Sequence, residues 1–192
     1  MRAIFIDKDG TLIENVPYNV EPQLITLTWL AGPALKLLQQ RGFALFVVTN
    51  QPGIARGLID EAAMKSVHSS LMELLAPFGV MLTGFYYCPH SPDGTVGPYA
   101  IHCTCRKPMP GMLQRAAIEH GVELDRSWMI GDILDDVEAG MRAGCRTVLI
   151  DNGNETDWTL STLRTPNVFA PNLYSAATQI MELDAEWRRS QR

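Results

Sequence analysis

The amino-acid sequence predicts an α/β fold, a Rossmann-like three-layer sandwich in which helices cover both faces of a central parallel sheet. Short apolar runs alternate with segments of helical periodicity along the chain, as in proteins built from successive βαβ units. Several of these runs are apolar throughout, which is typical of strands buried on both faces. Polar and charged residues follow them directly, where open α/β sheets bind their ligands.

Length and composition narrow the class of protein. The chain has 192 residues, of which 46% are hydrophobic and 19% are charged, as in an ordinary globular protein. We expect residues 1–192 to form a single domain. The net charge of −5 disfavours non-specific nucleic-acid binding, and no apolar stretch is long enough to cross a bilayer. Because the first strand begins within three residues of the N-terminus, we expect no signal peptide and a cytoplasmic location. We also expect a monomer without a nucleic-acid or membrane partner.

The individual elements follow from the same patterns. Apolar runs bounded by turn residues predict strands over residues 3–7, 44–49, 84–88, 128–131, 147–150 and 168–169. Helical periodicity predicts helices over residues 33–41, 61–75, 110–120, 135–143 and 173–187. Gly42 and Gly121 follow two of these helices, as C-terminal capping glycines do. A flap over residues 11–32 and a loop over residues 89–107 fit neither pattern, and loops of that length are usually functional or disordered.

The first predicted strand ends in the motif Asp7-Lys8-Asp9-Gly10-Thr11. Two carboxylates two residues apart at a strand end can hold a divalent cation and divide the roles of nucleophile, acid and base. The alternative is a pair of solvated aspartates in a turn, and these five residues alone favour that alternative. The remaining motifs of the chain reverse this preference.

Phosphate-binding chemistry is indicated at two further places. Thr49-Asn50-Gln51 follows the second strand and offers a hydroxyl, amides and backbone N–H groups that suit a phosphate. Lys107 offers a point charge that can neutralise a transferring phosphoryl group. The alternatives for these residues are a polar turn and a solvated surface lysine.

Acidic residues also follow the strand predicted over residues 128–131. Asp132 comes directly after that strand, and Asp135 and Asp136 are close behind. A carboxylate at a third strand end could complete a site for a hard cation. The alternative is helix capping, which we expect for Asp135.

The loop inserted over residues 88–107 concentrates soft metal ligands. Three thiolates and one imidazole form the ligand set of a closed tetrahedral zinc site, provided here by Cys88, His90, Cys103 and Cys105. We therefore expect a structural Zn²⁺ ion that orders a loop with few apolar residues. The alternatives are buried or reactive cysteines and a loop histidine. His102 is a competing ligand, and we expect Cys145 in the core.

In this order, the DxDGT motif, the threonine after a second strand, the lysine and the late Gly-Asp pair resemble the haloacid dehalogenase (HAD) superfamily of phosphohydrolases over residues 3–150. The resemblance implies that Asp7 is the nucleophile that forms an aspartyl-phosphate, and that Asp9 is the general acid and then the base. It also implies Mg²⁺, held by the Asp7 carboxylate, the Asp9 main-chain carbonyl and Asp132, with Asp136 in support.

The same resemblance implies roles for the residues at the other strand ends. Thr49 and Asn50 would bind the phosphoryl oxygens, and Lys107 would offset their charge. This chemistry is consistent with a carboxylate nucleophile, which reacts poorly with a phosphate dianion until a cation screens the repulsion.

Residues 49–57, 86–90 and 105–112 resemble, more narrowly, a capless zinc-containing branch that includes phosphatases of heptose bisphosphates and of histidinol phosphate. The resemblance implies a small phosphorylated sugar as substrate and removal of the 7-phosphate of a heptose 1,7-bisphosphate. Histidinol phosphate or another small sugar phosphate is the alternative substrate, and a catalytically silent zinc-stabilised scaffold is the non-enzymatic alternative. The residues that would grip the substrate are Asn15, Tyr18, Gln51 and Arg106. The chain departs from the pattern of this branch at residues 15, 17 and 133.

Overall fold

The computed structural model describes residues 1–190 and contains a six-stranded sheet in which all neighbouring strands run parallel. The strands are β1 Ala3–Ile6, β2 Ala44–Asn50, β3 Gly84–Cys88, β4 Trp128–Gly131, β5 Arg146–Ile150 and β6 Val168–Ala170. Their order across the sheet is β3-β2-β1-β4-β5-β6. The predicted fold class is confirmed, and β1 lies between β2 and β4 in the interior of the sheet.

Six α-helices accompany the strands within the described residues: α1 Ala31–Gln40, α2 Pro52–Ala55, α3 Ala63–Leu75, α4 Gly111–His120, α5 Leu134–Ala143 and α6 Leu173–Ser190. The predicted strand and helix bounds differ from these by three residues or fewer. Sequence periodicity missed α2, because a four-residue helix is too short to show a period. Gly121 ends α4 with φ +66° and Gly42 follows α1 with φ +81°, as predicted for capping glycines.

The capping role predicted for Asp135 is wrong. Ile133 is the N-cap residue of α5, and Asp135 lies in the first turn of the helix. The Ile133 N–H donates to Asp136 Oδ2 at 3.3 Å, so the carboxylate that closes this helix end belongs to Asp136. Acidic side chains in a first turn also interact favourably with the helix dipole.

The core occupies both faces of the sheet, and β1 shows why. Ile4 and Ile6 belong to the larger hydrophobic cluster, which includes side chains of α1, α3 and α6. Ala3 and Phe5 belong to a second cluster on the opposite face, against α4. Successive residues of a strand point to opposite faces. Because both faces of β1 are covered, all four residues are fully buried. The uninterrupted apolar run therefore places the residue that follows it, Asp7, in the interior.

Within residues 1–190, no helix has the length and apolar character needed to cross a membrane.

Candidate active site and a second ligand cluster

The carboxyl ends of β1 and β4 bring three carboxylates together. The Asp7 N–H donates to the Ile130 carbonyl at 2.9 Å, which extends the pairing of the two strands by one residue. Asp132 follows β4, and Asp136 lies in the first turn of α5. Oxygen atoms of Asp7, Asp132 and Asp136 lie within 4.8 Å of one another. The sheet hydrogen bonds thus hold these ligands together.

Two glycines permit this close approach of the carboxylates to the backbone. Gly10 has φ +83°, and a Cβ atom there would lie 2.1 Å from Asp132 Oδ2. A Cβ atom at Gly131 would lie 2.2 Å from the side chain of Asp136. Neither distance is physically accessible, so only glycine fits either position.

Lys107 is buried among these carboxylates. Its Nζ atom lies 2.5 Å from Asp7 Oδ1 and 2.5 Å from Asp136 Oδ1, and it donates to the Val48 carbonyl at 3.1 Å. Asn50 fixes the backbone of this lysine: its Nδ2 donates to the Lys107 carbonyl and its Oδ1 accepts from the Lys107 N–H, both at 3.0 Å. The side chain of Asn50 therefore positions the lysine.

The electrostatics of the cluster favour an additional cation. Burial raises the pKa of Asp7 to about 7, despite the opposing charge of Lys107, and burial raises the pKa of Asp132 and of Asp136 to about 6. For Lys107, burial acts to lower the pKa, but attraction to Asp136 and Asp7 outweighs it and raises the pKa above its ordinary value. When they are ionised, three buried carboxylates facing one buried ammonium leave uncompensated negative charge. A set of hard oxygen ligands with this charge suits Mg²⁺.

Asp9 stands apart from the three-carboxylate cluster and is held by its own donors. Its Oδ1 atom accepts a hydrogen bond from Lys8 Nζ at 2.5 Å, and its Oδ2 atom accepts one from Gln51 Nε2 at 3.1 Å. Gln51 Nε2 also donates to Thr49 Oγ1 at 2.9 Å. Because the Asp9 side chain is 29% exposed, it faces the cleft above the buried carboxylates.

A cleft of about 270 Å³ opens over these groups. The residues that line it include most of the predicted site: Asp7, Asp9, Asn15, Thr49, Asn50, Arg106, Lys107 and Asp132. Gln51 lies behind this surface, buried against Asp9 and Thr49. Tyr18 lies outside the set of lining residues, 42% exposed, where its hydroxyl accepts a hydrogen bond from Arg56.

Several residues that contact the site have no role assigned from the sequence; the Thr11 hydroxyl, for example, donates to Asp132 Oδ1 at 3.1 Å. Asn154 lines the cleft and donates through Nδ2 to Asp132 Oδ2 at 2.7 Å. Lys8 pairs with Asp9. Asn154 follows β5 in a segment without periodicity, so the sequence offers no signal for it. Lys8 lies inside the first motif, and a charged residue directly after a buried strand is the feature of the sequence that could have indicated a role for it.

The second ligand cluster lies where β3 enters the long loop. Cys88 ends β3, and the distances among its Sγ atom, His90 Nδ1 and the Sγ atoms of Cys103 and Cys105 include contacts of 3.1–3.6 Å. Tetrahedral Zn²⁺ with Zn–S bonds of about 2.3 Å would place its sulfur ligands about 3.8 Å apart, close to this arrangement. His102 lies outside the group, and Cys145 lies in the core as predicted.

One thiol of this cluster is favoured as a thiolate, whereas the hydrogen bond with Cys105 and burial raise the pKa of the Cys88 thiol. The hydrogen bond with Cys88, ahead of that with His90, lowers the pKa of Cys105 to about 5, which favours a thiolate. All four cysteines are free. The Arg106 N–H donates to Cys103 Sγ at 3.3 Å, and the Arg106 guanidinium donates to the His90 carbonyl at 3.3 Å. The soft-ligand cluster therefore fixes the residue that precedes Lys107.

Comparisons with known proteins agree with this geometry. The Hydrolase_like family model, described as HAD-hydrolase-like, matches residues 104–176. A D-glycero-beta-D-manno-heptose-1,7-bisphosphate 7-phosphatase of Yersinia pestis is 39% identical over 172 residues, which cover 84% of this chain and 90% of that protein. The protein of the same name from Escherichia coli (strain K12) is 40% identical, with coverage of 84% and 89%.

A solved structure gives the same result in three dimensions. The D,D-heptose 1,7-bisphosphate phosphatase of B. bronchiseptica, complexed with magnesium and phosphate, superposes with a TM-score of 0.81 at 30% sequence identity. The superposition covers 95% of this chain and 99% of the other.

The parallel sheet with its carboxylate motif after the central strand is that of a HAD-like phosphatase. The relatives at 39–40% identity cover most of both chains. The chain belongs to the family of D-glycero-beta-D-manno-heptose-1,7-bisphosphate 7-phosphatases.

Proposed function

We propose that this enzyme removes the 7-phosphate of D-glycero-β-D-manno-heptose 1,7-bisphosphate through an aspartyl-phosphate intermediate. The observation that carries the proposal is the arrangement around Asp7. This carboxylate lies at the end of the central strand, 2.5 Å from the buried Lys107, in a cleft that also exposes Asp9. The names of the relatives supply the sugar.

In the first step, a carboxylate oxygen of Asp7 attacks the phosphorus atom and forms an O–P bond. The bond from phosphorus to the sugar oxygen breaks, and Asp9, in its protonated form, donates its proton to that oxygen, so the product leaves as an alcohol. The Lys107 ammonium offsets charge on the transferring group, and the Thr49 hydroxyl lies at the cleft wall where a phosphoryl oxygen can accept its hydrogen bond.

In the second step, water attacks the phosphorus atom of the aspartyl-phosphate. Asp9, now a carboxylate, takes a proton from that water, the bond between Asp7 and phosphorus breaks, and inorganic phosphate leaves. The Asp7 carboxylate and the protonated Asp9 are restored, and the cycle is complete.

The donor set at the strand ends fits Mg²⁺. Asp7 and Asp132 would hold it together with the Asp9 main-chain carbonyl, and Asp136 would support the site while it pairs with Lys107. When bound, the ion would screen the repulsion between the Asp7 carboxylate and the phosphate dianion.

The donor set in the loop fits Zn²⁺. Cys88, His90, Cys103 and Cys105 would fill all four positions of a tetrahedral ion, which leaves none for substrate. The ion would therefore be structural, and its contribution to the reaction would be the placement of Arg106.

Residues at the rim of the cleft would bind the parts of the substrate other than the transferred phosphate. Asn15 from the flap and Arg106 from the loop line it, and an arginine suits the distal phosphate of a bisphosphate. Tyr18 would act from outside the cleft, by holding the flap to Arg56. Gln51 would act from behind it, through Asp9 and Thr49. The free thiols fit a reducing, cytoplasmic location, and a single-domain monomer remains our prediction.

The test is a comparison of kcat/KM on both anomers of the heptose bisphosphate, on histidinol phosphate and on several sugar monophosphates. We expect the β-anomer of the bisphosphate to be preferred by at least about tenfold, equivalent to roughly 1.4 kcal/mol. A preference for histidinol phosphate would contradict the proposed substrate. A complete lack of turnover on every phosphate monoester would support the catalytically silent scaffold.

A further inference from the structure

Lys8 is a buried charged residue that the reaction described above does not use. Its side chain is only 1% exposed, and its Nζ atom lies 2.5 Å from Asp9 Oδ1. Burial of an ammonium group is costly unless it is paired and hydrogen-bonded. The pairing partner is the carboxylate that transfers both protons in the proposed reaction, so this contact bears on catalysis as well as on folding.

The backbone of Lys8 is fixed more firmly than the side chain of Asp9. The Lys8 carbonyl accepts hydrogen bonds from the N–H groups of Leu12 and Ile13, at 3.0 Å and 2.9 Å. The Asp9 side chain, in contrast, is 29% exposed at the cleft. Lys8 on one oxygen and the buried Gln51 on the other restrict the rotation of this carboxylate.

The geometry points to Lys8 as a positioning residue that, with Gln51, holds the Asp9 carboxylate in the orientation needed for proton transfer. The inference rests on the proposed function, because it assigns Asp9 the proton transfers. Misplacement of a reacting group by about 1 Å can cost about 10²-fold in rate. A flexible, half-solvated carboxylate without its two donors would be misplaced for part of the time.

A misplaced Asp9 should slow the reaction of one class of substrate more than that of another. An alkyl phosphate expels a poor leaving group, so its sugar oxygen needs the Asp9 proton as the P–O bond breaks. p-Nitrophenyl phosphate expels p-nitrophenolate, which is stable as an anion and leaves without that proton. Formation of the aspartyl-phosphate from p-nitrophenyl phosphate should therefore tolerate a misplaced Asp9.

The variant for the test is Lys8→Met, which keeps the buried aliphatic stem and removes the charge. Asp9 is partly exposed and can be solvated, so the variant leaves no isolated buried charge and should fold. Lys8→Arg is the conservative variant, and Lys36→Met is the matched control, because the Lys36 ammonium donates to the Gly79 carbonyl on the surface.

Two rates are measured for each protein. One is kcat on the alkyl phosphate that the wild type turns over best. The other is the burst rate, the rate at which p-nitrophenolate is released in the first turnover. For Lys8→Met we expect kcat to fall about 10–10²-fold, less than the about 10²–10⁴-fold loss attainable on removal of a general acid–base. The burst rate should fall less than about threefold, and KM should stay within about twofold. Lys8→Arg should recover most of kcat, and Lys36→Met should match the wild type.

Equal losses on the two substrates, or an unchanged kcat on the alkyl phosphate, would overturn the inference. A rise in KM with kcat unchanged would overturn it as well, because positioning of a proton donor acts on the chemical step. Thermal unfolding monitors the fold, and if Lys8→Met is unstable the same ratio of rates measured on Lys8→Gln decides the matter. A wild-type enzyme inactive on all phosphate monoesters would instead refute the proposed function.

Discussion

The carboxylate cluster beyond β1 and β4 and the thiolate cluster in the loop after β3 lie near each other but are built in opposite ways. The carboxylates occupy positions set by the sheet, as the hydrogen bond from the Asp7 N–H to the Ile130 carbonyl shows. The thiolates come mainly from a loop that contributes few side chains to the core. The fold of the sheet assembles the first cluster, whereas the second cluster is held together mainly by contacts among its own ligands.

This difference separates the roles of the two expected metals. A site assembled by buried strands can release and rebind its ion while the protein stays folded. A loop with few apolar side chains in the core depends on metal–thiolate bonds to offset its ordering entropy. The two clusters are joined through Arg106, which donates to Cys103 Sγ and precedes the buried Lys107. Loss of the second metal should therefore disturb the first site indirectly.

The largest effect is expected for Asp7→Asn, which removes the nucleophile and preserves the shape of the side chain. Turnover should fall by at least roughly 10³-fold, while zinc content and thermal stability stay near those of the wild type. Steady-state kinetics and metal analysis of the same preparation measure both. The control is Asp125→Asn, at an exposed aspartate at the opposite end of the sheet. Turnover of Asp7→Asn near the wild-type rate would exclude the covalent mechanism.

Removal of the hard cation should come next in size. Brief treatment with EDTA should lower turnover by about 10²-fold or more, and added Mg²⁺ should restore it, because metal stabilisation of the transferring charge is worth several kcal/mol. The thiolate-bound zinc should remain through this treatment, as measured by metal analysis. Full activity in a sample shown to be free of Mg²⁺ would contradict the prediction, as would loss of zinc and activity in parallel.

A smaller effect on catalysis and a larger one on folding are expected for Cys103→Ser. The hydroxyl is a poor zinc ligand, so zinc content should fall from about one ion per chain and the melting temperature should drop by about 5–10 °C, for a loss of about 2–3 kcal/mol. KM should rise several-fold as Arg106 loses its support, while the residual turnover still requires Mg²⁺.

The matched control for this prediction is Cys145→Ala, because Cys145 is a buried cysteine outside the cluster. It should leave zinc content and KM unchanged. Unaltered zinc content in Cys103→Ser, or a disulfide between Cys88 and Cys103 in the wild type, would refute the zinc assignment.

The smallest effect concerns pH. Burial raises the pKa of Asp7 to about 7 and those of Asp132 and Asp136 to about 6, from an ordinary value of 3.8. The metal-free folded state therefore holds protons that the unfolded chain has released, so the stability contributed by these groups falls as pH rises from about 4 to about 7. Because Mg²⁺ competes with those protons, its stabilisation should be larger at about pH 8 than at about pH 5.

Thermal unfolding with and without saturating Mg²⁺ at the two pH values measures this stabilisation. We expect Mg²⁺ to raise the melting temperature by an increment of about 5 °C at the higher pH. The increment should shrink in Asp7→Asn. An equal increment at both pH values, or a larger one in acid, would contradict the protonation of the carboxylates in the metal-free state.

Sequence reasoning was most successful where the chemistry is local. Uniformly apolar runs indicated buried strands, and the structure confirms the parallel sheet. The spacing of Cys88, His90, Cys103 and Cys105 indicated one ligand group, and the structure brings these atoms together. The helix α2 and the capping of α5 by Asp136 escaped prediction. A four-residue helix has no measurable period, and the choice between neighbouring aspartates as caps depends on the direction of the chain beyond β4.

The sequence by itself determined the order of strands and helices along the chain, the burial of β1 and the identity of the ligand types, because these depend on hydrophobic period and on side-chain chemistry. Only the tertiary structure decided which side chains meet. Asn50 holds the backbone of Lys107, Asn154 donates to Asp132, and Lys8 pairs with Asp9. Two of these contacts join segments brought together by the parallel sheet, and the third depends on how the turn after β1 directs a side chain. Their geometry comes from packing, which no local pattern encodes.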